Sequence, residues 1–121
     1  MPEHHKLDYV EFRTPDLAAS KAFFHAAFGW NFVDYGPDYT AFSGEGLDGG
    51  LFRGAAPATA DGGAPLLVFY SAALEGSEAA VTAAGGRVVR EIFSFPGGRR
   101  FHFVEPGGNE LAVWSDRDAD G

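Results

Sequence analysis

The chain has 121 residues, 45% hydrophobic and 21% charged, the size and composition of one folded domain. A net charge of −8 leaves no basic patch for a phosphate backbone and no basic amphipathic helix for a membrane surface. The lack of cysteine removes disulfides, thiolate nucleophiles and zinc–sulfur centres, and no apolar run reaches the roughly 20 residues of a membrane span.

The N-terminal MPEHHKLD carries charge with no apolar stretch behind it, unlike a signal peptide, so a soluble cytoplasmic protein is expected. KLDYVEFR (6–13) alternates with the period of a strand. Leu7, Tyr9, Glu11 and Arg13 share one face, and Asp8, Val10 and Phe12 share the other. TPDLAASKAFFHAAFG (14–29) reads as a helix, with Thr14 as N-cap, Pro15 in the first turn and Gly29 as the stop. Leu17, Phe24 and Phe28 form its apolar stripe. WNFVDY (30–35), YTAFSG (39–44) and GGLFRG (49–54) read as three short strands. AAPATADGGAP (55–65) has little to bury and is expected to be a linker or mobile loop.

The order then recurs. LLVFYS (66–71) predicts a strand, and LEGSEAAVTAAGG (74–86) a helix ending at Gly85-Gly86. RVVREIFSF (87–95), RRFHFV (99–104) and ELAVW (110–114) predict three more strands. SDRDADG (115–121) is expected to be a disordered tail. Leu17 and Leu74 open the two helices and Gly29 and Gly86 follow them, each pair 57 positions apart. The reading is a single α+β domain of two βαβββ modules, at about 6–54 and 66–114.

Three stretches carry a family resemblance: LDYVEFRTPDLAASKAFFHAAFGW (7–30), AAVTAAGGRVV (79–89) and FVEPGGNELAVW (103–114). Together they resemble the vicinal oxygen chelate superfamily, which includes glyoxalase I, the bleomycin and fosfomycin resistance proteins, and extradiol dioxygenases. The resemblance implies paired modules forming a cup-shaped mixed sheet with the helices outside. It also implies a homodimer whose cups are completed across the interface.

Metal-dependent members of that superfamily place His and Glu ligands inside the cup, on the first and last strands of each module. Matched by motif, the four positions fall on Tyr9, near Gly50 to Phe52, on Leu66 and on Ala112. A neutral phenol is an uncommon ligand for the divalent ions concerned, and Leu66 and Ala112 have no donor. Glu110 lies two residues before the last position, on the same face and roughly 6–7 Å away. The expectation is therefore no metal and no other cofactor, with a non-standard site of Glu11, His102 and Glu110 as the rescue.

The candidate ligand-binding residues are Tyr9, Glu11, Arg13, Leu66, Tyr70, His102, Ala112 and Trp114. Tyr9, Glu11 and Arg13 form either a polar wall for a ligand or a Glu11–Arg13 ion pair. His102 alternates with Phe101 and Phe103 and is either a satisfied polar residue or a catalytic group. Trp114 and Tyr70 suit stacking on a flat ligand or packing in a dimer. Two functions follow. One is a protein that binds a small apolar or aromatic molecule without the metal. The other is a lyase or isomerase with Glu11 as base and Tyr9 or His102 as acid. A dimeric interaction partner with no ligand is a third. Neither nucleic acid nor a membrane is an expected partner.

Overall fold

The structure is a computed structural model that describes residues 3–118. The first module runs β1 (Tyr9–Thr14), α1 (Leu17–Phe28), β2 (Val33–Asp34), β3 (Tyr39–Phe42) and β4 (Asp48–Arg53). The second runs β5 (Leu67–Tyr70), α2 (Leu74–Ala83), β6 (Arg87–Phe95), β7 (Gly98–Val104) and β8 (Glu110–Ser115). The fold is α+β, two βαβββ modules, as expected. Each module forms its own four-stranded mixed sheet, ordered β1-β4-β3-β2 and β5-β8-β7-β6. In both, the first and last strands pair in parallel and the hairpin strands pair antiparallel. The two ladders are not hydrogen-bonded to one another among the described residues, so the sheet is split between β1 and β5.

Alternation gives each sheet a helix side and an open side. Phe12 of β1, Leu51 of β4, and Leu111 and Val113 of β8 are buried on the helix side with Phe101 and Phe103 of β7. The core joins the modules through aromatic rings. Phe23 of α1 lies 5.6 Å from Phe103, and Phe28 lies 4.6 Å from Phe69. Phe23 is fully buried although the predicted stripe of Leu17, Phe24 and Phe28 omits it. α1 touches both sheets, so its apolar surface is broader than one stripe.

Several expected boundaries move. The N-cap of α1 is Asp16, which accepts from Ala19 N–H at 3.0 Å, and not Thr14. Thr14 ends β1 instead, buried and 3.2 Å from Asp16 N–H. Gly29 closes α1 with φ of 76°, the left-handed conformation a glycine adopts without strain. Only Val33 and Asp34 of 30–35 are strand, because Trp30 turns into the core. Leu66 immediately precedes β5. The acidic end is also shorter than the pattern suggests. Ser115 is the buried last residue of β8, while 119–121 lie outside the described residues.

The segment 55–65 contains turns, and it is tied down. Ala58 N–H donates to Asn109 Oδ1 at 2.8 Å, Glu110 N–H to Ala58 O at 2.8 Å, and Ala60 N–H to Glu110 Oε1 at 3.0 Å. It therefore runs as a strap along the turn before β8. That turn is organised by Glu105, a carboxylate with almost no exposure. Glu105 accepts from Ser20 Oγ–H and from Asn109 Nδ2–H, both at 2.7 Å, and from Gly107 N–H at 2.6 Å. Asn109 also donates to Arg13 O at 2.7 Å, so the turn locks the second module onto the first. A buried carboxylate without a cation is tolerated when several donors satisfy it in this way.

Candidate functional site

On the open side of the first sheet, Tyr9, Glu11 and Arg13 of β1 stand beside Asp48, Gly50 and Phe52 of β4. Tyr39, on β3, reaches across β4 to them. Its hydroxyl donates to Glu11 Oε2 at 2.7 Å and lies 2.6 Å from the Tyr9 hydroxyl. Burial, then the bonds to Tyr9 and Glu11, hold the Tyr39 phenol well above its ordinary value of 10.0. Gly50 makes this possible: a Cβ there would overlap the Tyr39 hydroxyl and ring. Arg13 lies over the Phe52 ring, 5.6 Å from its centroid, and no Glu11–Arg13 ion pair forms among the described residues. The strap 56–64 walls a hollow of about 650 Å³ beside Glu11, Arg13 and Phe52.

On the open side of the second sheet, Val68, Ala112, His102 and Arg90 form one cross-strand rung. Tyr70, Trp114, Arg100 and Phe93 form the next. His102 is buried, with Nδ1 3.3 Å from Glu110 Oε2. The other oxygen of Glu110 holds the strap through Ala60. Tyr70 meets Trp114 edge-on at 5.2 Å and donates its hydroxyl to Asp116 Oδ1 at 2.6 Å. His25 is occupied structurally, with Nδ1 2.8 Å from Trp30 O.

Between the sheets, where β1 and β5 face one another, a cleft of about 200 Å³ opens beneath residues 45–47. Phe12, Trp30, Phe42 and Phe69 wall it. A wider hollow of about 610 Å³ adjoins it, sharing Trp30, Glu45, Val68 and Phe69 and reaching Tyr70 and Ser77. Trp30 stacks on Phe24 at 4.9 Å and packs against Phe42 at 4.3 Å, so the ring forms a rigid wall. Such an aromatic cleft with a polar rim is the usual form of a small-molecule site.

The candidates thus fall into separate groups. Tyr9, Glu11 and Arg13 are together on the first sheet, and Tyr70, His102, Ala112 and Trp114 on the second. Glu11 and His102 are bonded to different partners. An aromatic-lined site is as expected, but Trp30, Phe42 and Phe69, which wall this cleft, are not among the candidates, although they are plain in the sequence. Their convergence depends on how the modules dock. Tyr39 was also missed, and the glycine at 50, inside a strand, is the signal that could have found it.

A family model, the Glyoxalase/Bleomycin resistance protein/Dioxygenase superfamily, matches residues 6–113. The chain belongs to this superfamily. A glyoxalase-related enzyme from Fulvimarina pelagi superposes with a TM-score of 0.73 at 20% identity, covering 92% of this chain and 88% of that one. A glyoxalase/bleomycin resistance protein/dioxygenase family enzyme from Burkholderia phytofirmans PsJN gives 0.75 at 16% identity, covering 92% and 98%. Lactoylglutathione lyase from Agrobacterium tumefaciens gives 0.69 at 20% identity, covering 92% and 93%. At these identities the likeness is one of fold. No curated protein matches the chain.

The superfamily's metal can be tested against these residues. The Tyr9 hydroxyl is engaged by Tyr39, and the space above Gly50 is filled by the Tyr39 ring. Leu66 and Ala112 offer no donor atom. The four positions do not make up a donor set for a divalent ion. Among the described residues, no group of three or more His, Cys, Asp or Glu could hold one either, and this includes the Glu11, His102 and Glu110 combination. No helix among them is long and apolar enough to cross a membrane.

Proposed function

We propose that the protein binds a small apolar or aromatic molecule, without the superfamily metal, in the cleft between β1 and β5. The observation that carries this reading is the convergence of Trp30, Phe42 and Phe69 on one cleft whose only charged lining residue is Glu45. Binding there is driven by burial of apolar surface, roughly 25 cal/mol per Å², and by ring stacking. The open faces, with Val68 44% and Tyr70 50% exposed, suit coverage by a second copy, and a cytoplasmic homodimer belongs to the same reading.

The test is a panel of aromatic and apolar compounds against a Trp114→Phe variant, in which Trp30 is the sole tryptophan. A ligand for the cleft changes Trp30 emission and raises the melting temperature, and Phe69→Ala abolishes both effects. A panel without either response removes the proposal. Added divalent ions are expected to leave melting unchanged. Sedimentation as a 12.9 kDa species would remove the homodimer.

A further inference from the structure

The end of the second sheet's open face, at β6 and β7, gathers cationic side chains around aromatic rings. Arg90 Cζ lies 3.8 Å from the centroid of Phe93. Arg100 Cζ lies 5.3 Å from the same ring and 5.7 Å from Phe95. The His102 ring is 6.0 Å from Phe93, and Phe95 is 6.4 Å from Trp114. Register places all of them on the side away from the helices, since Arg90 pairs with His102 and Phe93 with Arg100.

Two of these groups have donor or acceptor capacity that goes unused. Arg100 Nε and His102 Nε2 are buried with no hydrogen-bond partner among the described residues. Neither Arg90 nor Arg100 forms an ion pair there, although the chain has 17 acidic residues against nine basic. Arg53 and Arg99, by contrast, each sit on a carboxylate. A ring face neutralises a guanidinium only in part, and a buried N–H without an acceptor costs free energy. Glu110 occupies the Nδ1 side of His102, so Nε2 is the nitrogen left for a ligand. A planar oxyanion supplies the missing acceptors in the geometry a guanidinium prefers. Phe93, Phe95 and Trp114 supply flat apolar surface next to it.

We propose that this face binds an organic oxyanion, a carboxylate or phosphate ester on a flat apolar body. Arg90 and Arg100 are its charge partners, with the unpartnered His102 Nε2 beside them. The site uses none of the residues that line the aromatic cleft, so ligand binding at one does not require ligand binding at the other.

Calorimetric titration of the full chain with benzoate, phenyl phosphate and neutral benzamide tests it. One of the two anions is expected to bind about tenfold or more tightly than benzamide, and to weaken about tenfold in Arg90→Gln and in Arg100→Gln. Arg100→Lys, which keeps the charge but not Nε, is expected to fall between. Should Arg100→Gln fail to fold, the exposed Arg90 decides through Arg90→Gln alone. Equal affinity for benzamide, no saturable binding of either anion, or anion binding unchanged in Arg90→Gln overturns the proposal.

Discussion

Tyr39 organises the open face of the first module by satisfying Glu11 and Tyr9 at once. Its phenol is held above 10.0 by burial first and by Tyr9 and Glu11 next. A group whose folded pKa is raised contributes stability that is complete below the unfolded value and is lost as pH rises through the folded one. Urea midpoints should therefore fall more steeply above about pH 10 in the native protein than in Tyr39→Phe. Parallel curves would dissociate Tyr39 from the alkaline loss. The odd-numbered face of β1 was legible because alternation is local. Tyr39 was not, because it arrives from another strand 28 residues away from Glu11. Glu105 was hidden differently. In EPGGNE attention goes to the carboxylate entering the strand, whereas the one preceding the proline is buried and satisfied by α1 and its own turn.

At the scale of elements, the strap 55–65 departs most from its composition. Alanine, proline and glycine give it nothing to bury, so nothing local predicts order. Its order comes from Asn109 and Glu110, some fifty residues later. Glu110→Ala should speed amide exchange at Ala60 by about tenfold, since that N–H loses its acceptor. Exchange at Ala58, bonded to Asn109, should change much less. Equal acceleration at both would mean that the strap opens as one piece and that the Glu110 contact does not act alone. The helices and their glycine stops were readable for the opposite reason, since stripe, cap and left-handed Gly29 are all encoded within a few residues.

Across the whole molecule, the two modules share one aromatic core through Phe23, Phe28, Phe69 and Phe103. Trp30 belongs to the first module, where it also meets Phe69 of β5 at 5.6 Å, and Trp114 belongs to the second. Thermal unfolding of Trp30→Phe and Trp114→Phe, each followed by its remaining tryptophan, should track circular dichroism of the same sample. Phe23→Ala should lower both reporters together, at a cost of roughly 3–5 kcal/mol. A tryptophan signal that departs from circular dichroism would show modules that unfold independently. The repeat of 57 positions made the paired modules legible. The break between β1 and β5 was not, since docking of two sheets is a property of distant side chains.

The closeness of Tyr39 to Gly50 has a consequence for how sequences can change. A side chain added at 50 collides with the phenol, so Gly50→Glu introduced first disrupts the Tyr39 bonds and gains no usable carboxylate. After Tyr39→Ala, the hydroxyl and ring that a Cβ at 50 would meet first are gone. The cost of one substitution thus depends on the identity of a neighbour, which is epistasis. Any route toward a ligand at this strand has to pass through position 39 before position 50.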